Sequence, residues 1–251
     1  MPNRAVTALQ AVAGRLGLEV RRVGAETDKH EQRRLLLEHL AVTLVVDAGA
    51  NVGQYAGIHL RRWTRYTGRI ASFEPVRASF EAAARAARGD DAWTTYPYGL
   101  SDRSATLPMT VPDGQSDLSS LQDTTSAGAR LMTGARVMVE QVAVERLDDV
   151  IGDIASPQDL LALKLDVQGH EAAVLRGAAR TLERVVLLEC ELPLVALYEG
   201  QGSFRDLLAV LWDAGFTPVG VRSNYVDPAT GFALDADAFF VRRATGDGAE
   251  R

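Results

Sequence analysis

A parallel-sheet α/β fold is what this sequence predicts, and three observations carry the prediction. Strand-length apolar runs alternate with stretches of helical periodicity from Val42 to Tyr98, and again from Leu160 to Arg242. The first run leads straight into a glycine loop, Asp47-Ala48-Gly49-Ala50-Asn51-Val52-Gly53, with a helix after it. The second run ends in an acid, Glu74, at about the spacing where nucleoside-binding sheets place a ribose acceptor.

The elements follow in order. Apolar positions Val6, Leu9, Val12, Ala13 and Leu16 give residues 4–17 the spacing of an amphipathic helix. A second helix is expected over 28–40, with Asp28 at its start and Leu35, Leu36 and Leu40 facing inward. Then come strand 42–47, helix 53–62, strand 69–74, helix 76–88 and strand 92–98. Between 101 and 141 the alternation breaks. Short alternating pieces at 105–111 and 137–144 flank a segment rich in Ser, Asp, Thr and Gly, 112–134, which is long for a structureless loop in a compact domain. Strand 160–166, helix 169–181, strand 184–191, helix 204–214 and strand 216–221 restore the rhythm. The turn Asp227-Pro228-Ala229-Thr230-Gly231 leads to a last strand at 238–242, which reads as an antiparallel hairpin closing one sheet edge. No repeat or linker divides the chain. It splits into an N-terminal helical extension (1–40), one domain (41–243) and a small polar tail (244–251) expected to fray.

Composition narrows the function classes. The chain has 251 residues, 47% of them hydrophobic and 24% charged, which fits a globular protein with a substantial core. A net charge of −6 leaves no basic stripe for nucleic acid. The single cysteine, Cys190, excludes an internal disulfide and a multi-cysteine zinc site, and its apolar surroundings predict an inert buried thiol. No apolar run is long enough to span a membrane and no signal pattern opens the chain, so a cytoplasmic protein is expected. The N-terminal helices offer a surface on which a homo-oligomer could form. The only lysines are Lys29 and Lys164, which makes the one inside a strand conspicuous.

The chemistry of the glycine loop depends on the acid before it. Glycines at 49 and 53 permit sharp turns and close ligand approach, and the helix behind them presents free N–H groups. A carboxylate at Asp47 opposes a pyrophosphate and suits a cation such as the sulfonium of S-adenosylmethionine. Asp47, Gly49, Ala50, Asn51, Gly53 and Tyr55 are therefore expected around the methionine end of that donor, Asp47 acting through the amine or a bound water. The alternative is a structural strand-to-helix turn, which needs glycine but no preceding acid. Glu74 is expected to accept hydrogen bonds from both ribose hydroxyls, or else to serve as a carboxylate at a helix N-terminus before Pro75. Leu100, Ser101 and Asp102 follow the third strand, where adenine would lie. Asp102 could equally be a cap.

The motifs together resemble the FkbM family of S-adenosylmethionine-dependent methyltransferases, across about residues 28–243. The resemblance rests on Val46 to Tyr55, Ser72-Phe73-Glu74-Pro75, Gly99-Leu100-Ser101-Asp102-Arg103 and Ser119-Ser120-Leu121. Its most particular parts are Lys164-Leu165-Asp166-Val167-Gln168-Gly169-His170-Glu171 and Val174-Leu175-Arg176-Gly177-Ala178. It implies a Rossmann-like class I methyltransferase fold: a seven-stranded, mostly parallel sheet with a reversed last strand. It also implies methyl transfer to a hydroxyl of a sugar or natural product. Leu100 stands where alanine is commoner, and His170 occupies a variable position.

Lys164 and Asp166 lie two apart on one strand and leave the same face, with Asp166 at the carboxyl end where ligand crevices open. A buried lysine needs a partner, and Asp166, Glu189 or Glu191 could supply it. The Lys164–Asp166 unit is expected at the active site. His170 is a candidate base for the acceptor hydroxyl, with Asp166 and Glu171 as rivals. Helix capping is the plain alternative for Asp166, and solvation for His170. Glu189 and Glu191 are candidates for binding substrate hydroxyls, and Asp166 with Glu189 could hold Mg²⁺. Ser119 and Ser120 are expected to touch a small-molecule or saccharide acceptor, with 112–134 folding over it as a lid. A polyketide hydroxyl, a nicotinamide-dependent oxidoreductase and a non-catalytic donor-binding module are the competing readings. The oxidoreductase is weakened by a loop that is not G-x-G-x-x-G.

Overall fold

The computed structural model describes residues 28–113, 116–131, 136–227 and 230–243. The expected helix at 4–17, the tail from 244, and parts of the 112–134 segment and of the last turn lie outside the described residues. A seven-stranded sheet forms the centre. Its strands are β1 (Leu44–Ala48), β2 (Arg69–Phe73), β3 (Trp93–Tyr96), β7 (Leu161–Leu165), β8 (Val185–Pro193), β9 (Phe216–Ser223) and β10 (Asp235–Arg242), in the order β3-β2-β1-β7-β8-β10-β9. Strands β1, β2, β3, β7 and β8 are parallel, and β10 runs antiparallel to both β8 and β9. The reversed strand is thus inserted beside the edge, and β9 forms the edge itself. Strands β4 (Gly99–Ser101), β5 (Ala105–Pro112) and β6 (Val137–Arg146) make a separate small sheet in the order β4-β6-β5.

Burial on both faces explains the central strands. β1 and β7 are buried at every position, as expected of parallel strands covered by helices on both sides. Alternation then divides the core. Leu44, Val46, Ala48, Leu163, Leu165 and Leu188 pack on one face with Leu175 and Leu211. Val45, Ile70, Ala162, Leu187 and Phe239 pack on the other with Leu37, Tyr55, Leu60 and Trp93. Cys190 is a free, buried thiol on the first face.

Helix α1 (Lys29–His39) starts at Asp28, whose side chain accepts from the Glu31 N–H at 2.8 Å. Its inward stripe differs from the expected one at Leu35. Leu35 is 45% exposed, whereas Arg33 is 1% exposed and Leu37 is buried. Leu36 and Leu40 pack against the core as expected, and Leu35 alone is displaced because Arg33 turns inward to pair with Glu189 on β8. Helix α2 (Tyr55–Thr64) is wound as a π-helix and closes on Arg65 in the left-handed conformation, a departure that hydrophobic spacing cannot register. Helices α3 (Arg77–Ala86), α4 (Ser126–Leu131), α5 (Leu147–Val150), α6 (Glu171–Gly177) and α7 (Phe204–Asp213) are the remaining described α-helices. α7 opens with a full capping box between Ser203 and Asp206.

Gly177, at the end of α6, lies against β4. A Cβ there would stand 1.8 Å from the Ser101 carbonyl oxygen. We expect Gly177→Ala to destabilise the fold by about 1–3 kcal/mol through overpacking, measured as a lowered urea midpoint with unchanged slope.

Candidate active site

A buried charge ladder runs across one face of the sheet. Ser72, Asp47, Lys164 and Glu189 are direct register partners on β2, β1, β7 and β8. Trp93 donates its indole N–H to Ser72 Oγ at 3.0 Å, and Ser72 donates to Asp47 Oδ2 at 3.0 Å. Lys164 Nζ lies 3.2 Å from Asp47 Oδ1 and 3.6 Å from Asp166 Oδ2. It also donates to the carbonyl of Gly49 at 2.8 Å and to that of Ala48 at 3.3 Å. Burial works against the ammonium, but Asp47 and Asp166 outweigh it and hold Lys164 above the ordinary lysine range. Lys164 therefore remains a cation, and it fastens the glycine loop to the sheet.

The loop itself is tight. The N–H groups of Gly49 and Ala50 both donate to the Phe73 carbonyl, at 3.1 and 3.0 Å. Gly49 has φ +76°, and a Cβ there would lie 1.9 Å from the Asp166 carbonyl oxygen. The Asn51 N–H donates to Glu74 Oε2 at 2.7 Å, and the Val76 N–H donates to Glu74 Oε1 at 2.9 Å. Burial raises Glu74 to about 7 against the effect of these two bonds.

Above the carboxyl ends of the strands lies a cavity of about 460 Å³. One end is walled by Glu74, Pro75, Gly99 and Leu100, the middle by Gly49, Asn51 and Gln54, and the far end by Asp166, Glu191, Asp235, Asn224 and Tyr225. His170 and Ser119 also line it. Among the described residues no lysine or arginine lines this wall, while four carboxyl side chains do.

The far end holds a carboxyl pair. Gln168 Nε2 donates to Asp166 Oδ1 at 2.9 Å and reaches Glu191 Oε2 at 3.4 Å. Burial, together with the charges of Asp166 and Asp235, pushes the Glu191 carboxyl well above the usual range. Enclosure acts the same way on Asp166, but Lys164 prevails and lowers it. The pair thus shares its charge unequally, with the anion on Asp166.

The remaining expected residues are divided by the structure. Asp47, wholly buried, lies beneath the cavity and not on its wall. Ala50, Gly53 and Ser101 are also off the wall, and Asp102 pairs instead with Arg176 at 2.9 Å. Tyr55 donates its hydroxyl to Glu189 Oε2 at 2.7 Å on the helix-packed face. Glu171 accepts from the N–H groups of Val167 at 3.1 Å and Gly169 at 3.2 Å, so it braces the turn before α6. His170 Nε2 lies 2.9 Å from Ser101 Oγ, while its buried Nδ1 has no hydrogen-bond partner. Burial lowers its pKa against the pull of Asp102, which keeps the ring neutral at pH 7.

Glu189 receives both arms of Arg33, Nε at 2.8 Å and Nη2 at 2.5 Å. Burial alone would raise its pKa, yet Arg33 pulls it down to about 2. Its oxygens are spent on Arg33 and Tyr55, so Asp166 and Glu189 do not offer the paired site expected for Mg²⁺. Among the described residues no group of three or more His, Cys, Asp or Glu is arranged to hold a metal ion.

Part of the polar 112–134 segment covers the cavity. Ser116 Oγ donates to Asn51 Oδ1 at 2.9 Å, and Ser120 Oγ donates to the Gln168 carbonyl at 2.7 Å. Ser119 is 6% exposed, and its hydroxyl has no partner. Tyr198 donates to Gln168 Oε1 at 2.8 Å, tying the region after β8 to the same glutamine. Gln54, Gln168, Asn224, Tyr225 and Asp235 escape the sequence reading. The last three were findable, since they sit after β9 and at the start of antiparallel β10, on the same sheet end as Asp166.

A sequence model of the Methyltransferase FkbM domain matches residues 47–218, which span the loop, the ladder and the carboxyl pair. The chain belongs to the FkbM methyltransferase family. A relative called Methyltransferase 1, from Beauveria bassiana (strain ARSEF 2860), is 27% identical over 201 residues, 74% of this chain and 77% of its own. Solved structures with a similar arrangement include the methyltransferase FkbM from Methylobacillus flagellatus KT, at 17% identity and TM-score 0.49. That match covers 79% of this chain but 43% of the other. Another is the O-methyltransferase TomG from Streptomyces achromogenes, at 11% identity and TM-score 0.49, covering 97% and 92% of the two chains. Among the described residues of this FkbM methyltransferase, no helix is long and apolar enough to cross a membrane.

The buried Glu171 makes a stability prediction. Burial raises it to about 7 from 4.5 despite its backbone bonds, so the folded chain keeps a proton that the unfolded chain has released. Its contribution is full below pH 4.5 and fades as pH rises through 7. Glu171→Gln should therefore lose less stability than the unmodified protein between about pH 5 and pH 8, by up to about 3 kcal/mol, in urea melts at both values.

Proposed function

We propose that this chain is an S-adenosylmethionine-dependent O-methyltransferase whose acceptor is a hydroxyl of a sugar or of a glycosylated metabolite, glycolipid or polysaccharide. The carrying observation is the cavity that joins Glu74 and Leu100 to the Asp166–Glu191 pair past the glycine loop, with carboxyl groups and no cation on its described wall. Such a wall suits a sulfonium donor and a neutral, hydroxyl-rich acceptor, and it disfavours phosphorylated or carboxylated acceptors.

The residues divide the work along the cavity. Glu74 retains a free lone-pair direction on each oxygen for the ribose hydroxyls, and Leu100 with the neutral His170 flanks the nucleoside end. Gly49, Asn51 and Gln54 border the methionine portion, where Asp47 acts from beneath through Lys164. When bound, the donor supplies a methyl group that is already electrophilic. The protein must align the acceptor oxygen and remove its proton. Asp166 is the base in this reading: Lys164 keeps it ionised, Gln168 orients it, and protonated Glu191 lies beside it. Glu171, turned to backbone amides, supports the turn and does not take the proton. Ser119, Glu191, Asp235, Asn224 and Tyr225 border the acceptor, and the segment carrying Ser116 and Ser119 shields it from water. The residues do not fit a magnesium ion between Asp166 and Glu189, so no step passes through one.

Two measurements test the reading. Asp166→Asn should lower turnover at least about a hundredfold while S-adenosylhomocysteine still binds, and near-normal turnover would reject Asp166 as the base. A screen of neutral, aminated, phosphorylated and carboxylated sugars with labelled donor, with and without chelator, should show methylation of neutral hydroxyls that chelator leaves intact. Transfer only to phosphorylated or carboxylated acceptors would overturn the acceptor class.

A further inference from the structure

Arg33 does not touch the cavity, yet it and Lys164 are the two basic side chains buried among the described residues. Glu189 stands between them. It is the register partner of Lys164 on the neighbouring strand, but its carboxylate is turned to Arg33 and Tyr55. Both cations lie against the Tyr55 ring, with the Arg33 guanidinium 5.0 Å and the Lys164 ammonium 5.3 Å from its centroid. The ion pairs of Lys164 are with Asp47 and Asp166, and its hydrogen bonds go to the Ala48 and Gly49 carbonyls.

We infer that Arg33 is a positioning residue for the donor loop: by holding Glu189, it leaves the Lys164 ammonium free to grip the Gly49 carbonyl. The inference rests on the reading that this loop holds the methyl donor. A buried carboxylate does not stay ionised and unpaired. Without Arg33, Glu189 draws on the cation beside it in the sheet. Lys29, 3.8 Å away, is already bonded to Asp237 and is partly solvated. Lys164 is therefore pulled off the loop, and the turn at Gly49 loses its anchor. Because Arg33 lies on α1, seating that helix and shaping the donor loop become one event.

The test is calorimetric titration of the full chain with S-adenosylhomocysteine, alongside melting temperature. Arg33→Met should weaken binding about tenfold, the scale of one charge-assisted hydrogen bond. In Arg33→Met with Glu189→Met, no carboxylate competes for Lys164, and affinity should return to within about twofold of the unmodified protein. Undiminished binding by Arg33→Met overturns the inference, as does a double variant as weak as the single one, which would make packing the cause. If Arg33→Met does not fold, Arg33→Gln carries the same expectation. If neither folds, the double variant decides alone, and weak binding by it overturns the inference. Failure of the unmodified protein to bind would instead remove the functional reading itself.

Discussion

One ammonium group organises this structure. Lys164 is placed by a central strand where no charge could be tolerated without partners, and it finds them in Asp47, Asp166 and two loop carbonyls. That set ties β1 to β7 and fixes the turn leaving β1. Two contacts bordering the cavity follow from the turn: the Asn51 N–H meets Glu74, and the Asp166 backbone packs on Gly49 with no room for a methyl group. The ladder is costly to bury, and its stability contribution is modest at best. Its effect is specification, since neither strand can slip register without leaving charges unpaired.

The sheet was legible in the sequence because its strands are short, apolar and regularly spaced, and because β1, β2 and β7 end in acids. The small sheet was only half legible. β5 and β6 alternate visibly, but β4 is three residues long and carries no pattern of its own. The inward place of Arg33 on α1 was hidden for a different reason. Arg33 looks like a solvent residue until Glu189 is seen opposite, and a single sequence does not disclose which strand faces which helix.

The site followed the same division. Residues bound to local backbone geometry, such as Gly49, Asn51 and Glu74, reach the cavity where motif spacing placed them. Residues chosen by chemistry divided, with Asp166, His170 and Glu191 on the cavity wall and others held elsewhere. Glu189 and Tyr55 were spent on holding a helix, Glu171 on bracing a turn, and Asp47 on the lysine beneath the loop. Gln168 escapes a reading by residue type because an uncharged amide advertises nothing, yet it touches Asp166, Glu191, Tyr198 and Ser120 at once. Centrality in a polar network is a property of the assembled molecule, and it has no signature in residue type.

The carboxyl groups on the described wall bear on how a catalytic cycle would end. In the proposed reaction the donor arrives positively charged and departs as a neutral thioether, while the proton released by the acceptor reaches a carboxylate beside it. Attraction between pocket and spent donor therefore fades at the moment of transfer, and expulsion of the by-product is helped by the same electrostatics that favoured its precursor.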